Sequence, residues 1–299
     1  MYYQYYYSFF VENPPERKDF DLLFQKYNVP NNPKEYELFP VVYYEFFLSE
    51  KIPNVLEFNK DLISLIKRLN IADDFEPDPR LFFEKKDYVS SPFFVLRATG
   101  NTQKAFLESK GSKQEKVYMC DECGVHYNKL LSPLVVNTSK IGKRKMVNVN
   151  QEHWVITENF AEMLYKWGLT GYSLEEVISK SSMKDNEIVY RLIPTTTMPP
   201  WNGKMKFFNR HPFNPCTKCQ LRNWVPLPYH YEADVINLET DFASTNEWVI
   251  SGDLAYKPLL VSAKFRELLI ENKITREVIN ASDSNYRSND WLFEPIFIS

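Results

Sequence analysis

The chain has 299 residues, of which 44% are hydrophobic and 25% are charged, values that are ordinary for a folded globular protein. The formal charge is −3, and residues of both signs alternate along the chain. This disfavours a general nucleic-acid binder, which concentrates its basic residues on one surface. Only 8 glycines are present and no glycine-rich phosphate-binding motif occurs, so the composition also disfavours a nucleotide enzyme.

No segment indicates export or membrane insertion. No stretch approaches the roughly 18 unbroken apolar residues of a spanning helix. The first residues are rich in tyrosine and have no basic leader, which is unlike a signal peptide. We therefore expect a cytoplasmic protein with reduced thiols and no membrane contact.

The first third of the chain predicts strands and helices in alternation. Residues 1–11, Glu37–Leu48 and Phe93–Arg97 are rich in aromatic and β-branched side chains and predict strands. Asp19–Tyr27 predicts a short helix. Residues 57–69 predict an amphipathic helix, because apolar residues recur there at helical spacing. Its apolar face consists of Leu62, Ile63, Leu65, Ile66 and Leu69.

A polar, weakly patterned segment follows at residues 100–116, and we interpret it as a linker. On this interpretation residues 1–110 form an N-terminal α+β domain and residues 111–299 form a second, C-terminal region.

Within the C-terminal region the sequence repeats itself. Residues 155–170 align without a gap onto residues 260–275. In each copy a short strand-like stretch ends at a residue suited to an N-cap, Thr157 or Ser262, whose hydroxyl can accept a hydrogen bond from an early helix N–H. We predict two strand–cap–helix units of the same kind. The identical pairs are Phe160/Phe265, Glu162/Glu267, Leu164/Leu269 and Thr170/Thr275.

Two CxxC motifs precede the two helices in the same order. Cys120 and Cys123 lie upstream of the first helix, and Cys216 and Cys219 lie upstream of the second. Two amphipathic helices can look alike by chance, but the shared order of cysteines and helix favours an internal duplication. The predicted copies span about 117–178 and 213–282.

The predicted fold class is α+β, with mostly antiparallel strands, a few covering helices and a C-terminal region duplicated around a four-cysteine zinc site. Each CxxC can form one knuckle, and four thiolates complete a tetrahedral shell with no position left for a substrate. The long separation of the pairs is no obstacle, because the cost of loop closure grows only logarithmically with length. The predicted ligands of this structural zinc are Cys120, Cys123, Cys216 and Cys219. The lysines that could offset the charge of the site are Lys113, Lys116, Lys129 and Lys218.

Other interpretations of the cysteines stay open. Dithiol redox chemistry usually places a CxxC at the N-terminus of a helix, whereas Gly124, Pro212 and Pro215 predict turns here. The thiols could also be separate groups without a metal. His126 and His211 lie within five residues of a CxxC pair, and either could replace a thiolate as a zinc ligand.

The sequence contains no recognisable catalytic pattern. Neither an HExxH nor a GxSxG string occurs. The acidic pairs Asp73-Asp74 and Glu175-Glu176 are more typical of solvated turns or helix faces than of a catalytic pair. We therefore predict a protein that is not an enzyme.

Two further segments have alternative interpretations. The basic cluster Lys143-Arg144-Lys145 predicts a solvated hairpin tip or, alternatively, a contact with phosphate. Pro194–Trp201 predicts an extended segment. Its Trp201, together with Phe207 and Phe208, is interpreted as core packing rather than as an anchor for a partner.

The two CxxC motifs, each followed by a V-[IV]-[ST]-x-x-F-x-x-x-L-type helix, resemble the bacterial double-CxxCG motif proteins and related immunity proteins of polymorphic toxin systems. CDECG at residues 120–124 matches the motif in full, whereas CTKCQ at residues 216–220 lacks the glycine. The resemblance covers about residues 115–282, so that residues 1–110 look like an added domain.

This resemblance implies a small cytoplasmic protein that neutralises a cognate protein toxin by binding it, without catalytic activity and without a small-molecule substrate. The alternative function is a zinc-knuckle nucleic-acid-binding or regulatory protein, with Lys143, Arg144 and Lys145 near phosphate.

Overall fold

The computed structural model describes the chain in segments. These are residues 2–11, 14–29, 34–36, 41–49, 51, 53–71, 78–97, 111–138, 141, 144–149, 152–179, 188–202, 207–209, 216, 218–219, 224–226, 229–236, 239–277 and 291–298. The chain divides into two compact units. Unit 1 comprises Met1–Phe83 and Phe208–Asn214, and unit 2 comprises Glu84–Phe207 and Pro215–Ser299.

The first 83 residues build a four-stranded antiparallel sheet covered by two helices. The strand order is β2-β3-β1-β4. The elements are β1 (Tyr2–Val11), α1 (Pro14–Lys26), β2 (Lys34–Tyr36), β3 (Val41–Ser49), α2 (Val55–Arg68) and β4 (Asp78–Phe82).

The core of unit 1 is built from aromatic side chains. Along β1, Tyr7, Phe9 and Val11 are buried while Ser8 and Phe10 are exposed, as expected from the alternation of side chains along a strand. Tyr7 stacks on Phe46 with ring centroids 4.5 Å apart, and Phe9 stacks on Tyr44 at 5.0 Å. The helices contribute the buried residues Phe20, Phe24, Val55, Phe58, Leu62, Leu65 and Ile66.

The elements predicted for this half agree with the structure apart from their ends. The predicted strands at 1–11 and 37–48 correspond to β1 and β3, although residues 37–40 lie outside the described residues. Helix α1 begins at Pro14, before the predicted Asp19, because proline is compatible with the first turn of a helix, where its missing N–H is not needed. On α2, Ile63 is only half-buried.

The elements after Phe83 form most of unit 2. In chain order they are α3 (Lys85–Ser90), β5 (Phe93–Arg97), β6 (Gln114–Tyr118), β7 (His126–Leu130), β8 (Val135–Val136), β9 (Met146–Val149), β10 (His153–Thr157), α4 (Glu158–Lys166), β11 (Tyr172–Ser179), β12 (Val189–Pro194), β13 (Thr196–Thr197), β14 (Phe207–Asn209), β15 (Trp224–Pro226), β16 (His230–Tyr231), a 3₁₀ turn (Ala233–Val235), β17 (Phe242–Ser244), β18 (Val249–Ser251), β19 (Leu254–Tyr256), β20 (Leu259–Ser262), α5 (Ala263–Glu271), β21 (Leu292–Pro295) and β22 (Phe297–Ile298).

Three sheets organise unit 2. Sheet I has the order β8-β11-β12-β10-β9, sheet II the order β13-β17-β20-β5-β21, and sheet III the order β18-β19-β7-β6. Most neighbouring strands are antiparallel and helices cover part of the sheets, so the predicted α+β class is confirmed. Among the described residues, no helix is both long and apolar enough to cross a membrane.

The two predicted strand–cap–helix units are present and begin alike. The hydroxyl of Thr157 accepts a hydrogen bond from the backbone N–H of Phe160 (3.4 Å), and that of Ser262 accepts one from Phe265 (3.1 Å). Both phenylalanines are fully buried, and their rings meet edge to face with centroids 6.4 Å apart. The two equivalent helices therefore share one aromatic core.

The two units also end alike. Gly168 and Lys273 follow α4 and α5 with left-handed backbone angles, φ 62° and 57°. The next residue in each case, Leu169 or Ile274, donates a backbone hydrogen bond into the last turn.

In each unit, the strand that precedes the helix and the strand that follows it are parallel to each other. One antiparallel strand lies between these two strands in the sheet. That intervening strand is β12 in sheet I and β5 in sheet II. A common origin of the two copies stays a prediction.

The expected boundary near residue 110 differs from the division of the structure. The first segment of unit 1 ends at Phe83, and β5 pairs with β20 and β21 of sheet II. Most of the expected linker, residues 98–110, lies outside the described residues. The strand Phe93–Arg97 itself agrees with the prediction, but its partners lie far along the chain.

Asp241 joins the two strand–cap–helix units. One oxygen of its buried carboxylate accepts a hydrogen bond from the Ser262 hydroxyl (2.6 Å), and the other accepts one from the backbone N–H of Thr170 (2.9 Å). Ser262 caps α5, and Thr170 lies just beyond the end of α4. The carboxylate thus holds the start of one helix against the end of the other.

We expect Asp241→Asn to lower the free energy of unfolding of unit 2 by about 1–3 kcal/mol, because an amide places N–H groups opposite buried donors. All six tryptophans of the sequence lie in unit 2, so tryptophan fluorescence during urea denaturation reports on this unit alone. Asp234→Asn, the same change at an exposed site, is the control. Equal unfolding midpoints for the two variants would contradict the assigned role.

His153 is a buried imidazole at the start of β10. Burial lowers its pKa to about 4, and the nearby Arg191 guanidinium acts in the same direction. The ring is therefore neutral in the folded chain at pH 5, whereas an unfolded histidine, with a pKa of about 6.5, is protonated there. Because the unfolded state binds the extra proton, the stability that this residue contributes is lost as the pH falls from about 6.5 towards 4.

We expect the difference in unfolding free energy between wild type and His153→Leu to change by about 2 kcal/mol between pH 7.5 and pH 5.0. Wild type loses this stability on acidification and the variant does not. Urea titrations of both proteins at both pH values measure it, and pH effects at other groups cancel in the comparison. A difference that does not depend on pH would show that His153 titrates normally.

Candidate metal centre

The first CxxC lies in the turn between β6 and β7, not at the start of a helix. The backbone N–H of Met119 donates to the carbonyl of Val125 (2.8 Å), and the N–H of Gly124 donates to the carbonyl of Cys120 (3.1 Å). Gly124 has φ 75°, a left-handed conformation in which glycine avoids the strain of a side chain. This explains the glycine of CDECG, whereas Gln220, its counterpart after the second pair, lies outside the described residues.

The structure brings the two cysteine pairs together. The four Sγ atoms all lie within 4.8 Å of one another. Two distances join the pairs directly: Cys120 Sγ lies 3.8 Å from Cys216 Sγ, and Cys123 Sγ lies 3.5 Å from Cys219 Sγ. Cys120 and Cys216 are buried, while Cys123 and Cys219 are half-buried. Each pair therefore supplies one inner sulfur and one outer sulfur.

These distances fit a tetrahedral metal ion. With Zn–S bonds of about 2.3 Å, tetrahedral geometry places the sulfurs about 3.8 Å apart. The measured contacts of 3.5 and 3.8 Å are close to that value. In the described part of the chain, this is the one cluster of three or more His, Cys, Asp or Glu side chains able to hold a metal.

The two cysteines of the first pair differ in the pKa of their thiols. Hydrogen bonding from the backbone N–H of Cys123 lowers the pKa of Cys120 to about 7. Burial raises the pKa of Cys123 to about 12, so at neutral pH this sulfur carries a proton unless a cation compensates its charge. A metal ion at the centre of the four sulfurs would supply that charge.

A salt bridge between Asp121 and Lys218 links the two CxxC segments at the surface. It raises the pKa of Lys218 and lowers that of Asp121. Lys218, which the sequence predicts to offset the charge of the thiolates, thus also has a carboxylate partner that was not predicted. The opposite charges inside CDEC and CTKC are the signal that could have revealed the pairing.

The other candidates near the cysteines take different positions. The Nδ1–H of His126 donates to the carbonyl of Gly124 (3.0 Å), so this ring supports the turn and is not part of the sulfur cluster. His211 lies outside the described residues. Lys113, Lys116 and Lys129, on or beside β6 and β7, are exposed.

The remaining sequence candidates lie outside the centre. Trp201 is half-buried against a core cluster, and its indole N–H donates to the Tyr231 hydroxyl (2.9 Å), which confirms the core interpretation. Glu175 lies on β11 and pairs with Arg191 (3.2 Å). Lys143, Asp73 and Asp74, and the side chains of Phe207 and Phe208, lie outside the described residues.

No family model matches the chain, and no curated protein or solved structure matches it either. The resemblance to double-CxxCG proteins, carried by CDECG and the two helices, therefore stays a prediction.

Proposed function

We propose that Cys120, Cys123, Cys216 and Cys219 bind one structural zinc ion. The convergence of four sulfurs within 4.8 Å is the observation that supports this most directly. Thiolates favour zinc among the common metals, and a closed four-thiolate shell is typical of structural rather than catalytic sites. The ion would hold Cys216 and Cys219 against the turn between β6 and β7.

Protein purified under reducing conditions without chelator should contain one zinc per chain by elemental analysis. Cys120→Ser and Cys216→Ser should each lose the stoichiometric metal, since each removes one of four ligands. Removal of the metal from the wild type with a chelator should lower the urea concentration at the midpoint of unfolding, which tryptophan fluorescence measures.

His126→Gln and His211→Gln are the matched controls, and both should retain the zinc. Loss of zinc in either control variant would show that the histidine, and not one of the four cysteines, is a zinc ligand. Metal-free wild type, or two ions per chain, would end the proposal of one shared site.

We further propose that the chain is a non-enzymatic immunity protein that neutralises a cognate bacterial toxin by binding it. The resemblance of its CxxC and helix motifs supports this function. The closed sulfur shell agrees with it, because such a site positions no substrate. The metal would then stabilise the scaffold, and the toxin would contact another surface.

A row of exposed apolar residues on β11 and just before β12, in sheet I, is a suitable contact surface. Leu174 and Ile178 lie on the same face of β11 and are 37% and 48% exposed, and Ile188, just before β12, is 40% exposed. Glu176, also exposed, lies on that face between Leu174 and Ile178. A complementary toxin surface would present apolar side chains around a lysine or arginine, since interfaces combine apolar anchors with paired charges.

Co-expression of the wild type with the toxin encoded beside it should restore growth, and the complex should survive gel filtration. Ile178→Asp should weaken binding by about 10- to 100-fold, because it places a charge in the apolar contact. Val89→Asp, an equal change at a residue that is 80% exposed on α3, is the control and should bind normally.

Zinc content and urea midpoint of the two variants verify that both are folded. Absence of both rescue and complex with the wild type would refute the immunity function. Normal binding by Ile178→Asp would refute this contact surface while leaving the immunity function intact.

A further inference from the structure

The half-buried cysteines belong to different CxxC pairs. Cys123 and Cys219 are partly exposed, whereas their own CxxC partners, Cys120 and Cys216, are 4% and 8% exposed. A small oxidant arriving from solvent therefore meets one cysteine residue of each pair first. The nearest accessible thiol to Cys123 lies across the centre, 3.5 Å away on Cys219.

A distance of 3.5 Å between Cys123 Sγ and Cys219 Sγ is within the range of reacting atoms poised for attack. A disulfide needs a bond of about 2.05 Å and a separation of the two Cβ atoms of about 3.5–4.5 Å, so only a small approach of the two turns is required. The inner pair, Cys120 and Cys216, is separated by 3.8 Å and can close in the same way.

We propose that this centre is a site of oxidative modification by hydroperoxides, at which Cys123 and Cys219 form a disulfide that joins the two CxxC turns and expels the metal. The inference rests on the proposed zinc for the expulsion, but not for the disulfide. The inner pair is oxidised second, once the metal has left.

The reaction balances with hydrogen peroxide as the oxidant. Cys123 attacks one peroxide oxygen as a thiolate, after its sulfur has lost any proton that it carries to solvent; the O–O bond breaks, and the departing hydroxide takes a proton to become water. The thiolate of Cys219 then attacks the resulting sulfenic sulfur, the S–O bond breaks, and a second protonated hydroxide leaves as water. Each sulfur loses one electron and each peroxide oxygen gains one.

Zinc is released because two of its four ligands have become a disulfide, which is a poor ligand compared with thiolate. The new bond takes over the connection between the turns. Oxidation and chelation therefore have different consequences: chelation removes the metal link between the two cysteine pairs, whereas oxidation leaves Cys219 covalently attached to the β6–β7 turn.

The test uses the full-length, metal-loaded chain treated with one equivalent of hydrogen peroxide. A chromogenic chelator follows zinc release, and free thiols are then alkylated at low pH before digestion with trypsin without reduction. Because Lys218 separates Cys216 from Cys219, the two fall on different peptides, 211–218 and 219–222, while both cysteines of the first pair lie on 117–129.

The expected product is peptide 117–129 linked to 219–222, with Cys120 and Cys216 alkylated, in about tenfold excess over a disulfide within 117–129. A predominant Cys120–Cys123 disulfide would overturn the proposal, and so would thiols that stay reduced in excess peroxide.

Two results separate this inference from the proposed zinc. Protein purified without metal that still forms the Cys123–Cys219 bond would refute the zinc and support the disulfide. Zinc-loaded protein whose thiols do not react with peroxide would support the zinc and refute the disulfide. In the Cys219→Ser variant, the sulfenic acid at Cys123 has lost its partner thiol, and dimedone should trap it. If this variant folds poorly, the peptide map of the wild type still decides which cysteines pair.

Discussion

The convergence of four sulfur atoms in one small volume links two segments of unit 2 whose cysteines lie 96 residues apart in the sequence. The four Sγ atoms lie within 4.8 Å of one another, and four thiolates at that separation repel strongly. Protons can neutralise them, as the raised pKa of Cys123 indicates, but protons do not hold two distant segments together. The proposed zinc would do both, because it would compensate the charge and bond to every sulfur. The Asp121–Lys218 salt bridge adds a contact between the same two segments at the surface.

A second connection in unit 2 is independent of the sulfurs. The Asp241 carboxylate accepts hydrogen bonds from the cap of α5 and from the residues after α4, and Phe160 packs against Phe265 between the same helices. Phe160 and Phe265, which align with each other in the two similar segments of the sequence, thus contact each other in the core.

Local sequence patterns predicted helices, strands and caps well, but they did not predict which strands pair across long distances in the sequence. The N-caps Thr157 and Ser262 were predictable because a hydroxyl before an apolar helix has one dominant use. The convergence of the cysteines was predictable because paired thiols favour a shared metal. The start of α1 lies before the predicted Asp19, because Pro14 and Pro15 fit the first turn of a helix, where their missing N–H groups are not needed. The position of β5 in sheet II could not be predicted. Nothing in the sequence of Phe93–Arg97 indicates that this strand pairs with strands near residues 260 and 294.

The central place of β5 in sheet II has a consequence for biosynthesis. Four of its five residues are buried in the finished fold, yet β20 begins only at Leu259, more than 160 residues after β5 ends. At translation rates of about 5–20 residues per second, the apolar segment waits on the order of 10 to 30 seconds for its first neighbour. During that interval the nascent chain exposes Phe93–Leu96, a natural target for chaperones at the ribosome and for aggregation when they are scarce.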